Sequence, residues 1–495
     1  MGSSRQGDLK MSLKILVVSV EVAPYAKVGG LADVASSLPV ELKNQGHDVK
    51  ILMPGYGLAE RAAPNAVESV VAPFDVKVNK FWKVRSTLKE TDWNGVPVWL
   101  LNGEGLFDGI VRSEDVYTPG RDAYLYFAKA ALEACEQAGW IPDVIHCNDW
   151  HTGFLPVVLR ELGGEKWSQT ASVYTIHNLA YQGEFGKDTL AALDLPEKLF
   201  NMHQLETYGG VNFLKSGCVF ADQVNTVSPN YAEEIQTEEF GCRQWGLMRD
   251  LAKLGRLRGI LNGIDVDFFN PETDEHLPSN FGLQSGLQGK ARCKAELQKE
   301  LGLPVQADVP MLSAVSRLSD QKGFDHMIRA AYGLLSFPAQ WVILAVGDPG
   351  AAAELRKLEA EWPDRFRFVE RFDAPLAQKI YAGSDIFLMP SAFEPCGLGQ
   401  LIAMRYGTVP VVRRTGGLAD TVREPENGFV FEHRSPRGLF DATQRAVQAY
   451  RDPQQWSQIV ENGMRGDYGW ESSARKYVEM YEAALASRKT AVAIG

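Results

Sequence analysis

Two successive series of short apolar segments, each followed by a helical pattern, constrain the fold of this chain more than any other feature. In the first series, the apolar run at 14–20 is followed by a helical pattern over about 31–45 and a second apolar run at 48–53. Gly46 suits the end of that helix. Continuous apolar runs are typical of strands buried on both faces of a parallel sheet. The start of the chain therefore predicts a βαβ unit.

The same alternation continues through most of the chain. Further strands of the first series are predicted at 143–146, 172–177 and 223–228. The pattern restarts near Leu261, passes through a polar, glycine-rich stretch, and resumes with PMLSAVS, WVILAV, FRFVE, IFLMP and TVPVVR. We therefore predict an α/β fold with two Rossmann-like, doubly wound domains that face each other across a cleft.

Length and segment order set the predicted domain boundaries. A chain of 495 residues is too long for one ordinary core. We place the two domains at 11–257 and 258–470, and a terminal amphipathic helix in 471–495. In open α/β sheets ligands bind at the carboxyl ends of the strands, so the chemistry is expected on the loops that follow strands in both domains.

Composition excludes several classes of protein. The formal net charge of −11 argues against a general nucleic-acid binder, although one basic pocket remains compatible with it. The six cysteines include no CxxC pair, which disfavours a disulfide framework or a zinc ribbon and favours a reducing cytoplasm. No apolar run reaches the roughly 18 residues of a membrane span. Residues 1–10 are polar and do not resemble a signal peptide, and Met11 is an alternative start.

Lys27, Gly29 and Gly30 form the first candidate site, between the first predicted strand and the first predicted helix. Adjacent glycines let a bulky anion approach the backbone closely. The N–H groups at a helix start favour a phosphate, and Lys27 adds a full positive charge. The segment therefore indicates an anion site, although a plain turn with a surface lysine gives the same pattern.

Two loops of the second series carry the next candidates. Arg317 and Lys322 follow its first strand and can converge on one diphosphate, although isolated loop cations are more often solvated. Glu394 follows the strand IFLMP, with Cys396 and Gly397 beside it. A carboxylate there can bind two sugar hydroxyls or face a developing positive charge. The alternative is a loop carboxylate that caps a helix.

Three polar segments have a structural interpretation as their first alternative. His177 ends a strand, and a lone histidine is more often structural than catalytic. The segment 146–153 gathers His, Cys and Asp, but without the ligand spacing of a known zinc site. The segment 265–267 matches the DxD of metal-dependent glycosyltransferases. That match is common by chance, and we assign this segment to the domain junction.

Taken together, these motifs resemble those of the bacterial glycogen synthase and plant starch synthase family. Their order is KVGGLADV, NDWHTG, TIHNLAYQG, TVSPNYAEEI, LNGID, SRLSDQKG, FEPCGLGQ and RRTGGLADTV, and the resemblance runs from about Met11 to the end. It implies a glycosyltransferase-B architecture whose final helix crosses back to the N-terminal domain. It also implies transfer of glucose from ADP-glucose to the non-reducing end of an α-1,4-glucan, with retention of configuration and without cofactor or metal.

The resemblance also assigns residues. It implies these catalytic residues: Lys27, His177, Arg317, Lys322 and Glu394. It implies these substrate-binding residues: Gly29, Gly30, Asp33, Asp149, Asn262, Phe372, Cys396, Gly397 and Leu398. In this assignment Arg317 and Lys322 hold the diphosphate, Glu394 contacts glucose hydroxyls, and Phe372 stacks on the base.

The chain departs from the family pattern at three positions. Phe372 stands where tyrosine is usual, Ala392 where arginine is common, and Gly399 where threonine is common. These departures bear on donor affinity and base selectivity, and UDP-glucose stays open as the donor. The implied acceptor is glycogen, starch or a malto-oligosaccharide. No nucleic-acid or membrane partner is expected, and the expected location is the cytoplasm, or the plastid in a plant or alga.

Other functions fit parts of the pattern. One is a related retaining glycosyltransferase with a small-molecule acceptor, such as an enzyme making sucrose or trehalose. Another is a non-catalytic glucan-binding protein, against which the implied catalytic residues argue. An NAD-dependent dehydrogenase would need a GxGxxG, which neither half carries. A glycogen phosphorylase would need a lysine-bound pyridoxal phosphate.

Overall fold

The computed structural model describes residues 12–63 and 67–494. The expectations for residues 1–10 and for a domain start at residue 11 lie outside these residues. The chain forms two compact α/β units. The first comprises the residues up to Thr226, Ile235–Ile260 and the residues from Trp470 onward, and the second comprises Val227–Glu234 and Leu261–Gly469. In the part of the chain that is described, no helix combines the length and apolar character needed to cross a membrane.

The first unit is built on a ten-stranded sheet and a small three-stranded sheet. Its strands are β1 (Lys14–Val18), β2 (Asp48–Pro54), β3 (Glu68–Ser69), β4 (Phe74–Lys77), β5 (Lys83–Trp93), β6 (Val96–Gly103), β7 (Val144–Asn148), β8 (Ala171–Ile176), β9 (Glu184–Phe185), β10 (Glu206–Thr207), β11 (Gly210–Asn212), β12 (Gln223–Thr226) and β13 (Leu257–Gly259). The large sheet has the order β13-β12-β8-β7-β1-β2-β6-β5-β3, with β4 on β5. It is parallel from β13 to β6 and antiparallel beyond.

The second unit has a six-stranded parallel sheet. Its strands are β14 (Met311–Leu318), β15 (Gln340–Gly347), β16 (Phe366–Val369), β17 (Ile386–Met389), β18 (Val409–Arg413) and β19 (Phe429–Phe431). The order is β16-β15-β14-β17-β18-β19, so the direction of winding reverses between β14 and β17. In the first unit it reverses between β1 and β7. A ligand site is expected at the carboxyl ends of the strands at each reversal.

Helices connect the strands of both units. They are α1 (Gly30–Asn44), α2 (Gly57–Ala62), α3 (Arg121–Gln137), α4 (Leu155–Glu161), α5 (Phe213–Phe220), α6 (Pro229–Glu234), α7 (Trp245–Lys253), α8 (Gln288–Glu300), α9 (Phe324–Ser336), α10 (Pro349–Glu361), α11 (Ala374–Gly383), α12 (Gly399–Arg405), α13 (Gly416–Thr421), α14 (Pro436–Tyr450), α15 (Pro453–Met464) and α16 (Trp470–Ile494). Several short 3-10 turns accompany them.

The predicted α/β class with two doubly wound domains is confirmed. Strands β7 and β8 are buried at every position, as continuous apolar runs in a parallel sheet require. The helix expected over about 31–45 is α1, and the terminal amphipathic helix is α16, which continues to Ile494. The antiparallel strands β3–β5 and the small sheet β9–β11 were not predicted from the sequence.

Helix α16 packs against the large sheet of the first unit. The Tyr481 hydroxyl lies 2.9 Å from Nδ1 of His146 on β7, and Asn225 Nδ2 on β12 donates to the Tyr477 hydroxyl at 3.1 Å. All four side chains are buried. The C-terminal helix therefore contributes core side chains to the unit that contains the start of the chain.

A buried ion pair anchors the sheet of the second unit, and its loss is expected to destabilise that unit. Lys294 Nζ on α8 lies 2.7 Å from Asp385 Oδ2, and the same oxygen accepts the Met311 N–H at 2.8 Å. Replacing Asp385 by alanine leaves a buried ammonium without its counter-charge. Urea unfolding of Asp385→Ala should show a loss of about 3–5 kcal/mol. The exposed Asp308→Ala, in the same unit, should change stability by less than about 0.5 kcal/mol, and an equal loss in both variants would contradict this account.

Candidate functional site

Most of the predicted site residues lie on loops at the carboxyl ends of strands, whereas Asp33 lies in α1 and Arg317 near the end of β14. In the first unit the glycine loop (residues 27–30) follows β1, Asp149 follows β7 and His177 follows β8. The register of Val18 opposite Cys147, and of Cys147 opposite Tyr174, aligns these three strand ends.

In the second unit the loops follow the strands that flank the reversal. Lys322 follows β14 and Glu394 follows β17, and these two strands are hydrogen-bonded neighbours. Both units thus present polar groups at the edge where open α/β sheets bind ligands.

The glycine loop is held by a carboxylate that the sequence analysis missed. Oε2 of Glu21 accepts the Val28 N–H at 2.5 Å and the Gly29 N–H at 2.7 Å. The Gly29 N–H, which the sequence placed near a donor phosphate, is therefore engaged by Glu21 in this structure. Lys27 Nζ extends from the loop and lies 2.6 Å from Asp33 Oδ1, and both side chains remain partly exposed.

Asp149 and His177 form a hydrogen-bonded pair in the first unit. Asp149 has a φ of 56°, and its Oδ1 accepts the His177 N–H at 2.8 Å. Burial raises the pKa of Asp149 to about 7, although the backbone N–H groups of His177 and Asn178 oppose the rise. Burial also lowers the pKa of His177 to about 3, so its imidazole is neutral at pH 7. His177 Nε2 lies 2.9 Å from Asn148 Oδ1.

Aromatic rings stack beside Asp149, and neither this stacking nor the part of Tyr117 in it was predicted from the sequence. The His151 ring stacks on Trp150 with 3.9 Å between the ring centroids. It also stacks on Tyr117, with 4.9 Å between the centroids and an angle of 15° between the ring planes. Gly183 has a φ of 64°, and a Cβ there would lie 2.1 Å from the Trp150 ring. Tyr117 is exposed at the end of this stack. No local motif marks it, because its position depends on the fold of the loop before α3.

Lys322 and Glu394 form an ion pair in the second unit. Lys322 Nζ lies 2.6 Å from Glu394 Oε2, and the Ser391 hydroxyl donates to the same oxygen at 3.0 Å. Glu394 is only 6% exposed, so the pair has little solvent screening. Gly323 permits this approach: it has a φ of 75°, and a Cβ there would lie 2.1 Å from the Pro390 carbonyl oxygen. The sequence named both ionic residues but did not foresee that they pair.

The loop of Glu394 packs tightly against Gly416 and Gly417, the two glycines that begin α13. The Gly417 N–H donates to the Glu394 carbonyl at 3.1 Å, and a Cβ on Gly416 would lie 1.9 Å from that oxygen. Burial raises the pKa of the Cys396 thiol to about 12, although the backbone N–H of Asn262 bonds to its sulfur. Asn262 and Cys396 are therefore neighbours, and Cys396 is an unreactive thiol at pH 7.

The remaining predicted residues of the second unit are more open. The Arg317 side chain on β14 is exposed and forms no ion pair or hydrogen bond with any residue that the structure describes. Phe372, before α11, is 83% exposed. Gly397 has a φ of 73°, and Leu398 directly precedes α12. The Arg317 cation and the Phe372 ring are therefore available to a ligand.

Two of the polar segments have internal partners. Asp265 Oδ1 accepts the N–H groups of Asp267 at 3.1 Å and of Phe268 at 2.9 Å, which agrees with a turn-capping role. Nε2 of His146 lies 2.6 Å from the Thr175 hydroxyl, and the ring is buried. Across residues 12–63 and 67–494 no group of three His, Cys, Asp or Glu side chains has the arrangement of a metal site.

Comparison with known proteins identifies similar sequences over nearly the whole chain. Residues 14–250 match the family described as starch synthase catalytic domain, and residues 309–449 match the family described as glycosyl transferases group 1. The chain is 43% identical to the glycogen synthase of Syntrophotalea carbinolica over 489 residues, which cover 96% of this chain and 99% of that protein. It is 42% identical to the glycogen synthase of Thermosipho africanus over 496 residues, which cover 96% of this chain and 100% of that protein.

Solved structures show the same fold. The catalytic domain of starch synthase IV from Arabidopsis thaliana, bound to ADP and acarbose, aligns with a TM-score of 0.89 and 33% identity over 96% of this chain and 100% of that one. Sucrose-phosphate synthase from Thermosynechococcus elongatus aligns with a TM-score of 0.60 and 21% identity, covering 96% and 100% of the two chains, which is a likeness of fold alone.

Proposed function

The chain belongs to the glycogen synthase and starch synthase family, and from this premise we propose that it transfers glucose from ADP-glucose to the non-reducing end of an α-1,4-glucan. It is a glucosyltransferase of glycogen or starch synthesis with a glycosyltransferase-B fold. The observation that carries the proposal is the near full-length likeness to glycogen synthases. The ADP and acarbose bound to the Arabidopsis relative support an adenine-linked donor and a glucan acceptor.

Lys322 and Arg317 bind the donor diphosphate in this proposal. Cleavage of the bond between glucose and phosphate leaves negative charge on the diphosphate, and fixed cations stabilise that charge in the transition state. Glu394 holds the Lys322 ammonium in place at 2.6 Å and offers its carboxylate to glucose hydroxyls. The Arg317 side chain is exposed and has no ion pair or hydrogen bond with the described residues, so it can approach a phosphate without first breaking one.

Lys27, Asp149 and His177 serve the sugar and the phosphates from the first unit. A neutral His177, whose Nε2–H donates to Asn148 Oδ1, can accept a hydrogen bond from a sugar hydroxyl at Nδ1 without placing a second positive charge beside the developing oxocarbenium ion. The family pattern supplies no carboxylate nucleophile. We therefore favour attack by the acceptor hydroxyl on the face from which the diphosphate departs. The leaving phosphate oxygen takes the hydroxyl proton, and the α configuration is retained.

Phe372 is expected to set donor affinity through stacking on the base. Its ring is solvent-exposed. Loss of base stacking typically costs about 1–3 kcal/mol, so Phe372→Ala should raise the KM for ADP-glucose about tenfold at little cost in kcat. The matched control is Tyr332→Ala, an exposed aromatic on α9 of the same unit. An unchanged KM in Phe372→Ala would remove the stacking role.

The proposal is tested by pairing each donor with each class of acceptor. Purified protein is incubated with ADP-glucose or UDP-glucose and with glycogen, maltotriose, fructose 6-phosphate or glucose 6-phosphate, in the presence of EDTA. We expect glucose transfer from ADP-glucose to glycogen and maltotriose. Transfer only to a sugar phosphate would replace the acceptor, and transfer only from UDP-glucose would replace the donor. Failure with every pair would leave glucan binding without catalysis.

A further inference from the structure

Glu21 is a carboxylate buried beside the start of a helix. It lies in the loop after β1 and is 0% exposed. Its Oε2 accepts the N–H groups of Val28 and Gly29, which directly precede α1. Hydrogen bonds to an ionised acceptor are about twice as strong as neutral ones, and a negative charge at a helix N-terminus gains from the helix dipole. These contacts fix the glycine loop to the end of β1.

Ionisable groups that follow three neighbouring strands interact electrostatically with Glu21. Lys27 and Asp33 interact with it from the glycine loop and α1. Tyr56 interacts with it from the end of β2, and Asp149 from the end of β7. Oε1 of Glu21 and the Tyr56 hydroxyl are buried without a hydrogen-bond partner among the described residues. Glu21 thus interacts electrostatically with ionisable groups that follow β1, β2 and β7.

A related arrangement is found at the other Gly-Gly-Leu-Ala-Asp segment of the chain. That segment begins α13 in the second unit, and Glu234 on α6 accepts the Gly416 N–H and the Thr415 hydroxyl, both at 3.0 Å. Burial raises the pKa of Glu234, as it does that of Glu21. At both segments a glutamate from another part of the same unit therefore accepts the N–H of the first glycine, Gly29 or Gly416.

We propose that Glu21 is a positioning residue for glucosyl transfer, which holds the glycine loop so that Lys27 and the first turn of α1 face the substrate. Glu21 itself touches no substrate in this proposal. Among the described residues, Oε2 has polar contacts only with the two backbone N–H groups, and the side chain is buried. The inference rests on the proposed function for the meaning of the loop, but the anchoring of the loop can be measured without activity.

A charge change at Glu21 should also be transmitted to Asp149. The negative charge of Glu21 adds to burial in raising the pKa of Asp149. Glu21→Gln keeps the side-chain shape and one acceptor oxygen but removes the charge. The pKa of Asp149 should then fall, so an activity that depends on ionised Asp149 should persist to lower pH. A residue that served only to fill space would leave this pH dependence unchanged.

The test compares wild type, Glu21→Gln and a control, Glu60→Gln, whose carboxylate forms a partly exposed ion pair with Lys89 in the same unit. In each protein we would measure kcat and both KM values from about pH 5 to 9. Hydrogen exchange of the Val28 and Gly29 amides would be measured in parallel. In Glu21→Gln we expect faster exchange of both amides, kcat lower by about tenfold, and an acid limb moved to lower pH. The control should match wild type.

Two results would overturn the inference. One is a folded Glu21→Gln with wild-type kcat and an unmoved acid limb. The other is exchange of the wild-type Val28 and Gly29 amides at the rate of an open loop, which decides the matter even if the variant does not fold. If wild type itself transferred no glucose, the proposed function would fail, whereas the amide exchange would still report whether Glu21 anchors the loop.

Discussion

Replacing Lys322 by alanine is expected to lower kcat more than a hundredfold. The ammonium is held 2.6 Å from a carboxylate that is only 6% exposed, so its removal deletes a fixed cation and leaves Glu394 without its counter-charge. Loss of one such stabilising group typically costs about 2.7–4 kcal/mol in the transition state. The rate is measured at saturating ADP-glucose and glycogen.

The control for this variant is Lys357→Ala. Lys357 lies on α10 of the same unit and pairs with Glu354 at the surface. The Lys357→Ala variant should retain wild-type kcat. A loss of less than threefold in a folded Lys322→Ala would be incompatible with the role assigned to Lys322.

Asp149→Asn is expected to lower kcat about a hundredfold and to remove the acid limb of the pH–rate profile. Burial raises the pKa of Asp149 from its ordinary acidic value to about 7, so the carboxyl becomes protonated as the pH falls through 7. Wild-type activity should therefore decline below about pH 7, because the ionised form accepts the hydrogen bonds of the site. Asparagine has the same shape as aspartate and the same freedom at a positive φ, so the backbone at this position should be preserved.

Asp143→Asn is the matched control for Asp149→Asn. Asp143 directly precedes the same strand, β7, and its exposed carboxylate accepts the Lys14 N–H. This variant should keep both the wild-type rate and the acid limb. An acid limb that persists unchanged in Asp149→Asn would assign the titration to another group.

The parallel sheets were predictable from sequence because their burial leaves a simple pattern. Strands such as β7 and β8 are covered on both faces, which requires continuous apolar runs between polar loops. Strand β5 is different: its buried positions alternate with exposed and half-buried ones, and many of those carry charges. Such a segment has no continuous run, and the sequence analysis therefore missed the antiparallel extension of the first sheet.

The candidate site was only partly predictable. Sequence order and motifs named Lys322 and Glu394, but the two residues are 72 positions apart, and only the adjacency of β14 and β17 brings them together. Glu21 carries no motif of its own. Its importance comes from the turn that places two backbone N–H groups on its carboxylate, and such a contact is a property of the folded loop.

The central claim is extension of an α-1,4-glucan at its non-reducing ends, and the position of newly added glucose tests it most directly. Glycogen is incubated with the protein, ADP-[14C]glucose and EDTA, precipitated, and digested with β-amylase, which releases maltose from non-reducing α-1,4-linked ends. Our account predicts incorporation that β-amylase releases as labelled maltose. Absence of label from the glucan, or label that resists β-amylase on otherwise digestible chains, would contradict it.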